Sequence, residues 1–175
     1  VEHEFGVKGI GNSMTTKSDL KTDEEVWEAF LILSEMVAQR ARKKMLQGKV
    51  VAIFLRDYRL ESITRQMTLP RETYISGEIA RYAMTLYKNN WDASERPIRA
   101  IGVRITGLSA IDKYVQLSFF DMQRTRAQSL EFAKDDIKKR FGPEAVIRAS
   151  LLRPQVYDRY PKEIHDVHPL SYFRT

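Results

Sequence analysis

The chain has 175 residues, 43% hydrophobic, with 29 Lys and Arg against 23 Asp and Glu for a formal charge of +6. That is enough for one domain plus an extension, and the basic balance favours a polyanionic partner, although charge alone is a weak signal. Cysteine is absent, which excludes disulfides, thiol catalysis and thiolate metal sites and is compatible with a cytoplasmic location. The apolar runs all fall short of the ~18 residues a membrane span needs, so no membrane partner is expected. The opening Val1-Glu2-His3-Glu4 lacks the pattern of a signal peptide and the initial Met, and the chain reads as a piece of something longer.

Gly9 to Lys17 reads as a glycine-rich strand of weak propensity. Thr22 and Glu25 have capping-box spacing, and Val26, Phe30, Leu33, Val37, Ala41 and Met45 recur at three and four. The pattern predicts a helix from Asp23 to Leu46, ended by Gly48. Val50 to Leu55 is a continuous apolar run, expected as a strand buried on both sides. After a turn at Asp57 to Leu60, a second strand from Glu61 to Leu69 alternates Ser62, Thr64, Gln66 and Thr68 with Ile63, Arg65, Met67 and Leu69, and Pro70 is expected to stop it. Four hydrogen-bonding side chains on one face suggest a ligand, but a solvated sheet face has the same pattern.

Ile79, Tyr82, Ala83, Leu86 and Asn90 mark a helix from Ser76 to Trp91, with Ser76 as its candidate cap. The segment Pro97 to Leu108 then puts Ile101, Val103 and Ile105 on one face of a strand and Ala100, Gly102, Arg104 and Thr106 on the other. The order β-α-β-β-α-β predicts an α+β fold, two helices on one face of a four-stranded sheet. Residues 109–123 read as a linker around the apolar island Val115 to Phe120. Leu130, Ala133, Ile137 and Phe141 sketch a third helix from Arg126 to Phe141, which is too short to stand alone and must pack on something. Residues 124–152 form a helical extension and 153–175 a poorly ordered tail.

Three motifs in register carry a resemblance: Ile10-Gly11-Asn12-Ser13-Met14-Thr15, Met67-Thr68-Leu69-Pro70-Arg71 and Ile101-Gly102-Val103-Arg104. With the helix lengths between them, residues 7–108 resemble the little-finger domain of Y-family translesion DNA polymerases, of the UmuC-like (impB/mucB/samB) branch. The resemblance implies an antiparallel sheet lying in the DNA major groove with both helices on the far side. It implies a sequence-nonspecific primer-template partner, held by residues 1–108, while a palm elsewhere does the chemistry.

By that resemblance, Arg99 and Arg104 match phosphate contacts, and Gly102 between them lets the backbone come close. Guanidinium donors give affinity without sequence information. Thr15, Thr16 and Lys17 match first-strand contacts, and Thr64 and Arg65 match third-strand contacts. Alternation puts Arg65 with Ile63 and Met67, and Arg99 with Ile101, on the apolar face, so both need a bulge or an exposed edge to reach DNA. Ala100 stands where some family members carry a second basic residue, implying weaker DNA affinity. Gln116-Leu117-Ser118-Phe119-Phe120 resembles the pentapeptide with which bacterial polymerases bind the sliding clamp (β subunit), ending in Phe-Phe rather than Leu-Phe. His165 and His168 read as a bland tail rather than a metal site. Asp135-Asp136, with lysines around them, read as a solvated face.

The expected role is therefore a DNA-gripping, clamp-tethered accessory domain of a damage-bypass polymerase. This fragment is expected to catalyse nothing and to hold no metal or cofactor of its own, the two magnesium ions of the reaction belonging to the absent palm. An RNA-binding β-sheet module and a basic protein-interaction domain remain alternatives, and the third helix leaves a dimer or a swap between chains open.

Overall fold

The computed structural model describes residues 7–111 and 122–151. Four strands, β1 (Gly9–Leu20), β2 (Leu46–Asp57), β3 (Ser62–Thr73) and β4 (Ile98–Ala110), form one antiparallel sheet in the order β1-β4-β2-β3. Helices α1 (Asp23–Lys43) and α2 (Ser76–Asn90) cover one face, as the sequence predicts. The core lies between the layers. Val26, Phe30, Leu33, Val37 and Ala41 of α1 meet Val51, Ile53 and Leu55 of β2 and Ile101, Val103 and Ile105 of β4, all fully buried. The rings of Phe30 and of Tyr87 in α2 meet edge to face at a centroid separation of 6.4 Å.

The Thr22 capping box forms as expected, with the Glu25 amide donating to the Thr22 hydroxyl and the Thr22 amide to the Glu25 carboxylate. The end of α1 differs from expectation. Lys44 caps the helix and Met45 takes a left-handed φ of 53°, so the chain turns before Gly48 and not at it. Gly48 instead lies in β2, where a Cβ would come within 2.8 Å of the Ile105 Cβ. Its job is close strand approach.

Pro70 does not stop β3. That strand is a sheet edge and runs on to Thr73, with Pro70 inside an irregular stretch where five residues of β3 span two of β2. An edge bulge tolerates the missing N–H. Ser76 is not a helix cap either: Ile75 occupies that place without a side-chain bond, while the buried Ser76 hydroxyl donates to Glu131.

Glu131 belongs to α3 (Met122–Phe141), which begins four residues earlier than predicted and packs on the helix layer. A short 3-10 turn (Ala149–Leu151) follows and buries Leu151 in the core. The docking face of α3 is the charged one. Arg42 of α1 meets Asp135 through two hydrogen bonds of 2.6 and 2.9 Å and Glu131 at 3.0 Å, and donates to the Tyr74 carbonyl. Lys134 and Arg148 converge on Glu35, and Arg124 bonds Glu78 and the Glu72 carbonyl. Asp135 is thus a docking residue, contrary to the solvated face expected. The apolar stripe expected to pack faces outward instead, with Leu130 59%, Ile137 40% and Phe141 75% exposed. Phe132, its ring 5.5 Å from that of Tyr74, is the aromatic contact of the docked side. The predicted tail, including His165 and His168, lies outside the described residues.

Candidate nucleic-acid interface

Strand register sets out the sheet face away from α1 and α2 row by row. Gly9, Thr106, Val50 and Thr68 lie side by side, followed by Gly11, Arg104, Ala52 and Gln66, then Ser13, Gly102, Phe54 and Thr64, then Thr15, Ala100, Arg56 and Ser62. Side chains paired across an antiparallel ladder share a face. These rows hold two arginines, several hydroxyls and no carboxylate.

The glycines of β1 make sense here. A Cβ on Gly9 would fall 2.7 Å from the Arg104 Nε, and one on Gly11 would fall 3.0 Å from the Arg104 Cβ. The Arg104 side chain therefore lies across β1 in space that any larger residue would fill. Gly102 is packed as tightly, with a notional Cβ 3.0 Å from the Ser13 Cβ and 3.5 Å from the Phe54 Cβ. It keeps the middle of the face low, so a bulky polyanion can approach the guanidinium.

Arg99 reaches this side through a bulge. Between Arg56 and Asp57, β2 advances one residue while β4 advances two, from Ala100 to Ile98. The extra residue resets the alternation, so Ile98 and Ile101 are both fully buried while Arg99 is exposed. On the other flank, β1 spends five residues, Thr15 to Leu20, against the same two of β4. Thr16 is buried there, its hydroxyl donating to the Arg99 carbonyl at 3.1 Å, so the side chain fixes the bulge, and of the three expected first-strand contacts Thr15 and Lys17 are the exposed ones. The Arg99 guanidinium lies 3.3 Å from the Asp19 carboxylate.

The bulge is anchored from behind. The Arg96 guanidinium stacks 4.1 Å from the Trp91 ring centroid and bonds Asp57 at 2.7 Å. Burial works to raise the Asp57 pKa, but the Arg96 guanidinium and the amides of Glu61 and Arg59 outweigh it and hold the carboxyl below its usual range.

Thr64 stands on the open face, but Arg65 does not join it. Alternation prevails, and Arg65 lies on the helix side of the edge strand, donating to Asn90 of α2 at 3.1 Å and to the Thr64 carbonyl. In its place the structure brings up Arg56, which follows the apolar run Val50 to Leu55 and pairs with Ala100 on the open face. Its Nε finds no hydrogen-bond partner among the described residues. The signal was available: Arg56 continues the alternation of Ala52 and Phe54. Phe54 is only 6% exposed, so it offers no stacking platform for bases. Gln116, Leu117, Ser118, Phe119 and Phe120 lie outside the described residues. No group of three or more metal-ligating side chains occurs among the described residues, and no described helix is long and apolar enough to cross a membrane.

Fold and face together define a two-layer α+β module whose sheet is apolar toward α1 and α2 and polar and basic on its open face. The chain belongs to the impB/mucB/samB family, whose C-terminal domain matches residues 7–119. The expected kinship with the little-finger domains of Y-family polymerases is thereby borne out. It is 36% identical over 158 residues to a DNA polymerase IV of Acetivibrio thermocellus, covering 89% of this chain and 39% of that protein. A DNA polymerase IV 2 of Halalkalibacterium halodurans is 39% identical over 145 residues, covering 81% of this chain and 34% of its own length. The chain thus spans well under half of these relatives. A solved complex of a beta-clamp processivity factor and the little finger domain of PolIV contains a chain 18% identical, with a TM-score of 0.47, covering 63% of this chain and 97% of its own.

Proposed function

We propose that the open sheet face grips the phosphate backbones of a primer-template duplex on behalf of a damage-bypass DNA polymerase. In this reading Gln116 to Phe120 tether the same polymerase to the sliding clamp. The observation that carries the DNA role is the carboxylate-free ladder that presents Arg104 and Arg56 among hydroxyls, with bulged Arg99 beside it. Guanidinium and hydroxyl donors hold phosphate oxygens without reading bases. Family membership supports the polymerase as the parent, and the relatives' name supports DNA as the partner. The chemistry, with its two magnesium ions, would then fall to parts of the parent that this chain does not contain. The clamp role rests on the motif's form: a polar anchor and three large apolar side chains suited to a preformed groove.

Fluorescence anisotropy with a labelled duplex tests the DNA role. Binding should be indifferent to sequence and should weaken linearly with log salt. Arg99→Ala and Arg104→Ala should each lower that slope by about one. Strong base preference, tighter binding to single-stranded RNA, or no binding at low salt would contradict the reading. For the clamp, Leu117→Ala with Phe120→Ala should abolish capture by a bacterial sliding clamp and leave DNA binding intact. Capture by the double variant would refute the tether.

A further inference from the structure

The bulged corner where β1 and β4 separate places an acid next to a proposed phosphate ligand. The rows of the open face hold no carboxylate, but Asp19, in the long β1 bulge, brings one to within 3.3 Å of the Arg99 guanidinium. Neither side chain is sealed off, with Arg99 46% and Asp19 24% exposed. The geometry is held by its surroundings. Leu20 next to Asp19 and Ile98 next to Arg99 are both fully buried and paired with each other, and the Thr16 hydroxyl pins the Arg99 carbonyl. Both backbones are fixed, and the two charged groups meet at solvent.

We propose that Asp19 is an intramolecular competitor for Arg99, occupying the guanidinium until a backbone phosphate displaces it and so setting the affinity of the open face below what its arginines alone would give. This rests on the DNA-binding reading of that face. A half-exposed ion pair is weak and readily exchanged. A phosphate offers the same guanidinium a geometry at least as good. The displaced carboxylate then sits close to the phosphate and repels it, so Asp19 opposes binding both before and after exchange. Such a device suits a domain that must hold DNA of any sequence and still let it slide.

The test is a double-variant cycle on the full chain, read by anisotropy with a short fluorescein-labelled duplex at low salt. Asp19→Asn keeps the shape and removes the charge, and should bind about two- to fivefold tighter than the parent chain. In an Arg99→Ala background the same change should yield a markedly smaller gain, because the competition has lost its object. Asp19→Ser is the second variant should the amide disturb the bulge, and circular dichroism melts confirm that each protein is folded. Unchanged affinity in both Asp19 variants, or an equal gain with and without Arg99, overturns the inference. If the parent chain and every variant fail to bind duplex, the DNA-binding reading itself falls and the inference with it. Binding by the parent with no response to Asp19 sinks the inference alone.

Discussion

The two helical layers of the molecule, α1 with α2 on the sheet and α3 on those helices, are held by opposite physics. Helices α1 and α2 are bound through a dry interface of Phe30, Leu33, Val37, Ile79 and Tyr87 against β2 and β4. Helix α3 is bound through charges, with Arg42, Glu131 and Ser76 buried together and Leu130, Ile137 and Phe141 turned outward. Apolar burial stabilises in proportion to area removed from water. A buried ion cluster must first offset the desolvation of each member, and so fixes one geometry more than it adds stability. The first arrangement makes a domain. The second makes an attachment that depends on every partner being present.

Three substitutions should separate these regimes. Phe30→Ala should cost about 3–5 kcal/mol in urea unfolding, by lost transfer energy and a residual cavity under the sheet. Arg42→Ala strips Asp135 of its guanidinium partner and leaves buried Glu131 to Lys134, and breaking such a pair costs about 3 kcal/mol. Undocking limits the damage, so α3 amides should lose hydrogen-exchange protection while those of β2 and β4 keep theirs. A global loss of protection would mean that α3 is part of the core after all. Ile137→Gln, on the outward stripe, should change stability by less than about 0.5 kcal/mol. A cost of several times that would show that the stripe is covered in solution.

The same contrast explains what the sequence made legible. Wherever one face of an element is buried in apolar company, periodicity told the truth, as for α1, for α2 and for Ile101, Val103 and Ile105. It placed Arg65 correctly on the helix side, against its assignment to DNA. For α3 the rule inverted. Its buried face is charged, and hydrophobic periodicity has no means of knowing that Arg42 and Glu35 await on another helix. Glycine and proline misled through their usual meanings, Gly48 serving packing and Pro70 sitting in an edge bulge. The site was half legible. Arg104 and Gly102 follow from alternation, whereas Arg99 needs a bulge that only register reveals, and Arg56 was hidden at the end of a greasy run.

The central claim is that the open face, and not the basic surface in general, holds DNA. The most direct measurement compares charge reversal on the two sides of the molecule by duplex anisotropy at moderate salt. Arg104→Glu on the open face should weaken binding at least tenfold, since an acid would then sit among the rows that now have none. Lys139→Glu, exposed on α3 on the helix side, makes the same change in net charge and should leave affinity within about twofold. Equal losses from the two variants would contradict the account.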